Sequence, residues 1–203
     1  MCIEQTVFIV DDDPIIRNVL EAIFSPENID VKLYPSAEKF LLEYDASNAG
    51  CILLDIMLPG MNGVELHEVI AALGNKVPVI FLTGTAEVSI AVERLKAGAM
   101  DFITKPFDRE SVLGTVKRAL EIDLQAQKDR LKNQDVTARF NSLTPREREV
   151  MGEVVRGLAN KSIARNLGIS SRTVEVHRKN LMHKMQARSP ADLVVMWVDL
   201  TRE

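Results

Sequence analysis

Cysteine is scarce in this chain, which has two in 203 residues. Neither Cys2 nor Cys51 has a partner at metal-ligand spacing, so reduced, structural thiols are expected. Long apolar runs are absent: none approaches the ~20 residues a bilayer span needs. No basic segment leads into an apolar stretch at the start, which argues against a secretory leader. These absences point to a cytoplasmic protein with no membrane partner.

Neither sign of charge dominates overall, yet the net of −4 hides a division. Residues 1–121 carry 19 acidic and 10 basic side chains, a net of −9, whereas residues 122–203 carry 10 and 15, a net of +5. An acidic half followed by a basic one suggests two domains with different partners, the basic one a candidate for nucleic acid. Hydrophobic residues make up 46%, enough to bury a core in each.

The first half alternates short β-rich runs with helical periods. Thr6–Val10, Ile29–Tyr34, Cys51–Asp55, Val77–Thr83 and Asp101–Thr104 read as strands. Asp13-Pro14 opens a helix whose apolar face is Ile15, Ile16, Val19, Leu20 and Ile23. Further helices are expected over Ser36–Tyr44, Gly63–Leu73 and Glu87–Ala97, and after Phe107. Five such alternations imply a parallel sheet covered on both faces.

The carboxyl ends of these strands carry the chemistry. Asp11 and Asp12 end the first strand, Asp55 the third and Thr83 the fourth, and Lys105 follows the fifth. All can converge on one edge of the sheet, where open α/β folds keep their sites. One aspartate at a helix start is ordinary dipole matching. Three carboxylates together repel and invite a divalent cation, and an oxygen-rich site with water positions suits Mg²⁺. A hydroxyl and an ammonium then serve the remaining oxygens of a phosphoryl group.

Val10-Asp11-Asp12, Leu54-Asp55 with Met57-Leu58-Pro59-Gly60-Met61-Asn62-Gly63, Leu82-Thr83-Gly84 and Lys105-Pro106-Phe107 together resemble the receiver domain of two-component response regulators. The resemblance implies a flavodoxin-like, doubly wound, five-stranded parallel sheet. It implies Asp55 as phosphoacceptor, and Mg²⁺ held by Asp11, Asp12, Asp55 and the Met57 backbone carbonyl. Thr83 and Lys105 would bind phosphoryl oxygens, Thr83 and Phe102 would form the switch, and Lys105-Pro106 would be cis. A haloacid-dehalogenase-type phosphotransferase also uses a strand-end aspartate, but it needs a second aspartate where Met57 stands.

Leu113, Val116, Leu120, Leu124 and Leu131 recur at helical intervals, and residues 115–140 hold no proline or glycine. A largely helical linker is expected over 122–140 between domains at 1–121 and 141–203. Thr144, Pro145 and Glu147 form a helix start. A short helix at Asn160–Leu167, a turn at Gly168 and a longer helix at Ser171–Met185 form a helix-turn-helix within four helices. Val174, Leu181 and Met185 face its core by their spacing.

Leu143-Thr144-Pro145-Arg146-Glu147-Arg148-Glu149-Val150, Gly157-Leu158-Ala159-Asn160-Lys161-Ser162-Ile163-Ala164 and Ser171-Arg172-Thr173-Val174-Glu175-Val176-His177 resemble the LuxR-type helix-turn-helix. The whole chain is similar to FixJ/NarL-type transcription regulators. By that resemblance Ser171–Met185 is the recognition helix, with Glu175, Val176 and Lys179 toward base edges and Thr173 beside them. Lys161, Arg172, Arg178 and Lys184 are expected phosphate contacts. The implied partners are a sensor histidine kinase, double-stranded promoter DNA and a second copy on phosphorylation, with RNA polymerase a further candidate. The implied action is activation, joining the fourth receiver helix (Val88, Val92, Leu95, Lys96) and the fifth strand in a dimer. A protein-binding adaptor and a phosphorylation-independent DNA-binding regulator are the competing classes. The implied chemistry is confined to the protein's own phosphorylation and its reversal, not turnover of a substrate.

Overall fold

In this computed structural model, residues 5–45, 49–84 and 98–201 are described. The chain divides into two compact units, Met1–Gln127 and Lys128–Glu203. Among the described residues, no helix is long and apolar enough to cross a membrane.

The first unit is built on five parallel strands: β1 Gln5–Val10, β2 Asp30–Tyr34, β3 Ala49–Asp55, β4 Val79–Thr83 and β5 Asp101–Thr104. Their order in the sheet is β2-β1-β3-β4-β5. Between them run α1 Pro14–Phe24, α2 Ala37–Glu43 and α3 Gly63–Ala72, and α4 Arg109–Asn141 follows β5. The helix expected over Glu87–Ala97 lies outside the described residues.

Alternation sorts the strand side chains onto two faces. Phe8, Val10, Ile52, Leu54 and Phe81 bury with Phe40, Leu66 and Ile70 of α2 and α3. Val7, Ile9, Cys51, Leu53, Ile80 and Leu82 bury with Leu20 and Phe24 of α1 and Val112 and Val116 of α4. Each large aliphatic residue so buried contributes about 1.5–3 kcal/mol. β3 is buried along its whole length, starting at Ala49, earlier than its apolar run suggests. Ala49 and Gly50 pair with Gln5 and Thr6 of β1, and Asp123 Oδ2 accepts the Gly50 N–H at 2.8 Å.

Local starts follow the side chains that can cap. Asp13 caps α1 with Pro14 in its first turn, and Ser36 caps α2. Asn62 and Glu65 make a reciprocal capping box at α3.

The second unit holds the end of α4 and four helices: α5 Pro145–Val155, α6 Asn160–Leu167, α7 Ser171–Met185 and α8 Pro190–Thr201. Thr144 and Glu147 form a second capping box. Gly168, at φ +65, ends α6 in the left-handed conformation that glycine tolerates. Val150, Ile163, Val174, Leu181, Met185 and Leu193 form the centre of its core.

Candidate phosphorylation site and nucleic-acid interface

Register brings the strand-end residues together. Val10 pairs with Leu54, so Asp11 and Asp55 emerge side by side. Asp55 pairs with Leu82 and Thr83 with Thr104, which sets Thr83 and Lys105 along the same edge. The β1/β3 boundary is also where the strand order reverses direction, the crevice favoured for ligands in such sheets.

The Lys105 ammonium sits between two carboxylates, 2.8 Å from Asp11 Oδ2 and 2.7 Å from Asp55 Oδ2. Asp11 is fully buried, Asp55 nearly so, and Asp12 is exposed. Their ligand atoms lie within 4.8 Å of one another. Asp11 Oδ1 also accepts the Asp13 N–H at 2.9 Å, and Asp55 Oδ1 accepts the Met57 N–H at 3.1 Å. The Lys105 N–H donates to the Thr83 carbonyl at 2.7 Å, and the Lys105–Pro106 bond is cis.

Burial raises the Asp11 carboxyl above its ordinary range, outweighing the hydrogen bonds from Lys105 and Asp13. Burial pulls Lys105 down, but its bonds to Asp11 and Asp55 outweigh it and leave the ammonium favoured. Three carboxylates thus cluster beside one ammonium. Thr83 is buried, its hydroxyl donating to the Gly84 carbonyl at 3.0 Å. Phe102 is half-buried against the core shared with α2 and α3. Cys51 lies inside the sheet, where burial pushes its thiol strongly up, so it has no reactive character.

On the second unit, α7 divides into two faces. Val174, Leu181 and Met185 are buried. Arg172, Thr173, Glu175, Val176 and Lys179 are exposed, Arg178 is half-buried, and Lys161 is exposed on α6. Val176, at 53% exposure, is an apolar residue on an otherwise polar surface.

Lys184, expected as a phosphate contact, has its ammonium 2.7 Å from Glu147 Oε2 and 3.3 Å from the Ser142 carbonyl. The Glu147 carboxylate is buried, and burial pushes its carboxyl up, but the bonds from Lys184 and Thr144 outweigh this and hold it below its usual range. Lys184 therefore serves the fold. Helical spacing gave its position on α7 but not its partner.

Sequence reasoning also missed Glu38, whose Oε1 accepts the Met61 N–H at 3.0 Å. The only local signal was its place two residues after the Ser36 cap. Val88, Val92, Leu95 and Lys96 lie outside the described residues.

Residues 7–117 match the response regulator receiver domain family, and residues 141–197 match the bacterial regulatory proteins of the luxR family. The chain belongs to the response regulator family. It is 43% identical to the transcriptional regulatory protein FixJ of Rhizobium meliloti, over 95% of each chain. It is 38% identical to the response regulator protein TmoT of Ectopseudomonas mendocina, over 94% of this chain and 87% of the relative. A solved structure of the response regulator StyR matches with a TM-score of 0.88 at 36% identity, covering 96% of this chain and 98% of that one. The regulator thus joins a phosphorylation-controlled receiver to a LuxR-type DNA-binding domain that acts in transcription.

Proposed function

We propose that a partner sensor histidine kinase phosphorylates this regulator on Asp55 with Mg²⁺ bound, and that the phosphorylated form dimerises and binds double-stranded promoter DNA to activate transcription. The observation that carries the reading is the Lys105 ammonium shared between Asp11 and Asp55 at the sheet edge. An oxygen of the Asp55 carboxylate attacks the phosphorus of a phosphohistidine. The P–N bond breaks, and the departing imidazole keeps its electron pair and takes up a proton. Lys105 and Thr83 are the donors for the transferred oxygens. The protein catalyses only this change to itself and its reversal.

Asp11, Asp12, Asp55 and the Met57 carbonyl would hold the ion. The donor set fits a hard cation: three clustered carboxylates against one ammonium, with an exposed side at Asp12. Bound Mg²⁺ supplies charge neutralisation and orientation of the phosphoryl oxygens.

Readout then passes through Thr83 and Phe102. As Thr83 turns from the Gly84 carbonyl toward the phosphoryl group, Phe102 turns into the space it leaves. The proposed organisation is a receiver over 1–121, a helical linker over 122–140 and a DNA-binding domain over 141–203, in a cytoplasmic protein that also meets RNA polymerase. Glu175, Val176 and Lys179 read base edges with Thr173 beside them, and Lys161, Arg172, Arg178 and Lys184 hold phosphates. Val176 is suited to a thymine methyl group.

DNA recovered by the protein from a random-sequence pool provides the probe. Beryllofluoride with Mg²⁺ should strengthen binding to that DNA and shift sedimentation from monomer to dimer. Equal occupancy with and without the mimic would instead favour the phosphorylation-independent regulator.

A further inference from the structure

The loop between β3 and α3, residues 56–62, carries the Met57 N–H that donates to Asp55 Oδ1 at 3.1 Å. Its far end is fixed against the acceptor strand. The Gly63 N–H donates to the Ile56 carbonyl at 3.0 Å, and a Cβ on Gly63 would fall 2.0 Å from the Asp55 carbonyl oxygen. No side chain fits there, so α3 starts directly against β3.

The tip of the loop is fixed from a different helix. Gly60 turns the chain at φ +75, a left-handed conformation suited to glycine. Glu38 of α2 lies over it: a Cβ on Gly60 would come 2.7 Å from Glu38 Oε1. That oxygen accepts the Met61 N–H at 3.0 Å. The Met61 amide is also the leading reason the Glu38 carboxyl lies below its usual range. Neither side of the contact drifts, because Ala37 and Phe40 of α2 share a core with Ile56 and Leu58 of the loop. Met57 therefore hangs between two anchors, one at Gly63 and one at Glu38.

We propose that Glu38 is a positioning residue for the phosphorylation site: by accepting the Met61 N–H it fixes the loop whose Met57 amide orients Asp55 and whose Met57 carbonyl is offered to Mg²⁺. This rests on the Asp55 and Mg²⁺ assignment above. Partners hydrogen-bonded directly to a metal ligand change affinity or rate by roughly 10–100-fold when removed, and Glu38 acts one step further out, through the loop backbone from Met61 to Met57. Glu38 is exposed, so its truncation leaves the core untouched.

Three measurements on the full chain test it, using Glu38→Ala and Glu38→Gln. Amide hydrogen exchange at Met61 in metal-free protein should rise roughly ten-fold in E38A and stay near wild type in E38Q, whose amide oxygen still accepts. Calorimetric Mg²⁺ affinity and the initial rate of labelling by acetyl phosphate should each fall roughly ten-fold in E38A and recover in E38Q. A merely structural glutamate would not give recovery at all three. Wild-type label on Asp55, with E38A matching wild type in Met61 exchange and Mg²⁺ affinity, would overturn the proposal. So would E38Q behaving as E38A does, because acceptance of the Met61 N–H would then not be the operative property. Label on a residue other than Asp55 in wild type would defeat the phosphoacceptor assignment, while Met61 exchange would still report on the anchor.

Discussion

Each unit of this regulator buries a carboxylate against a lysine, and the two pairs behave oppositely. In the first unit Asp11 meets Lys105 at 2.8 Å, and in the second Glu147 meets Lys184 at 2.7 Å. Burial leaves the Asp11 carboxyl raised, whereas the partners of Glu147 overcome burial and lower it. Around Asp11 desolvation exceeds the bonds from Lys105 and Asp13, whereas around Glu147 the bonds from Lys184 and Thr144 exceed desolvation. Three carboxylates cluster around Asp11, and one ammonium bonds two of them, Asp11 and Asp55. Glu147 has one lysine plus the Thr144 N–H, and the account closes. A balanced buried pair is a structural tie, and an unbalanced one is a place prepared for a ligand.

Lys184→Met gives the largest expected effect. It leaves the Glu147 carboxylate buried beside an apolar chain and should cost the second unit about 3 kcal/mol of stability, unaffected by Mg²⁺. Urea unfolding followed through Trp197, which packs in that unit, reads it. Lys105→Met should cost the metal-free first unit about 2 kcal/mol, most of it regained at saturating Mg²⁺. Matching responses of the two variants to Mg²⁺ would break the comparison.

Lys179→Ala and Glu175→Ala sharpen it from the exposed face of α7. Each should change base preference by about 1–3 kcal/mol at a defined position of the selected DNA. Stability should stay within about 0.5 kcal/mol, in contrast to Lys184→Met further along the same helix. Competition with single-base variants of the selected DNA separates these from uniform loss of affinity.

Asp11→Asn is the smallest expected effect and the most diagnostic in sign. An acid whose folded pKa is raised contributes stability below its unfolded value and loses it as pH rises through the folded one, so at neutral pH its ionised form is a cost. Removing that charge should stabilise the metal-free first unit while weakening Mg²⁺ binding. A loss of stability in metal-free protein would show that Lys105 already balances the cluster.

The parts of the molecule legible from sequence were those with a local signature. Strand ends at Asp11, Asp55 and Thr83 followed from apolar runs stopping at polar residues, and the register then aligned them. Caps at Asp13 and Thr144 sit within three residues of the amides they serve. The buried face of α7, Val174, Leu181 and Met185, followed from helical spacing, and its exposed face from the resemblance. Contacts between distant residues were not legible. Asp123 to Gly50, Glu38 to Met61 and Lys184 to Glu147 join positions 73, 23 and 37 residues apart, and no periodicity encodes them. Lys184 illustrates the limit well. Its charge and helix are readable, but its partner Glu147 appears only in three dimensions.

The unbalanced cluster is held to be a phosphorylation site centred on Asp55, and phosphoryl transfer tests that most directly. Wild-type protein and Asp55→Asn are incubated with acetyl phosphate and Mg²⁺, and intact mass and peptide mapping locate the label. The wild type should take up one phosphoryl group on Asp55, lost on removing Mg²⁺ before the reaction, and the folded variant should take up none. Stoichiometric label on Asp55→Asn, at any other residue, would contradict the account.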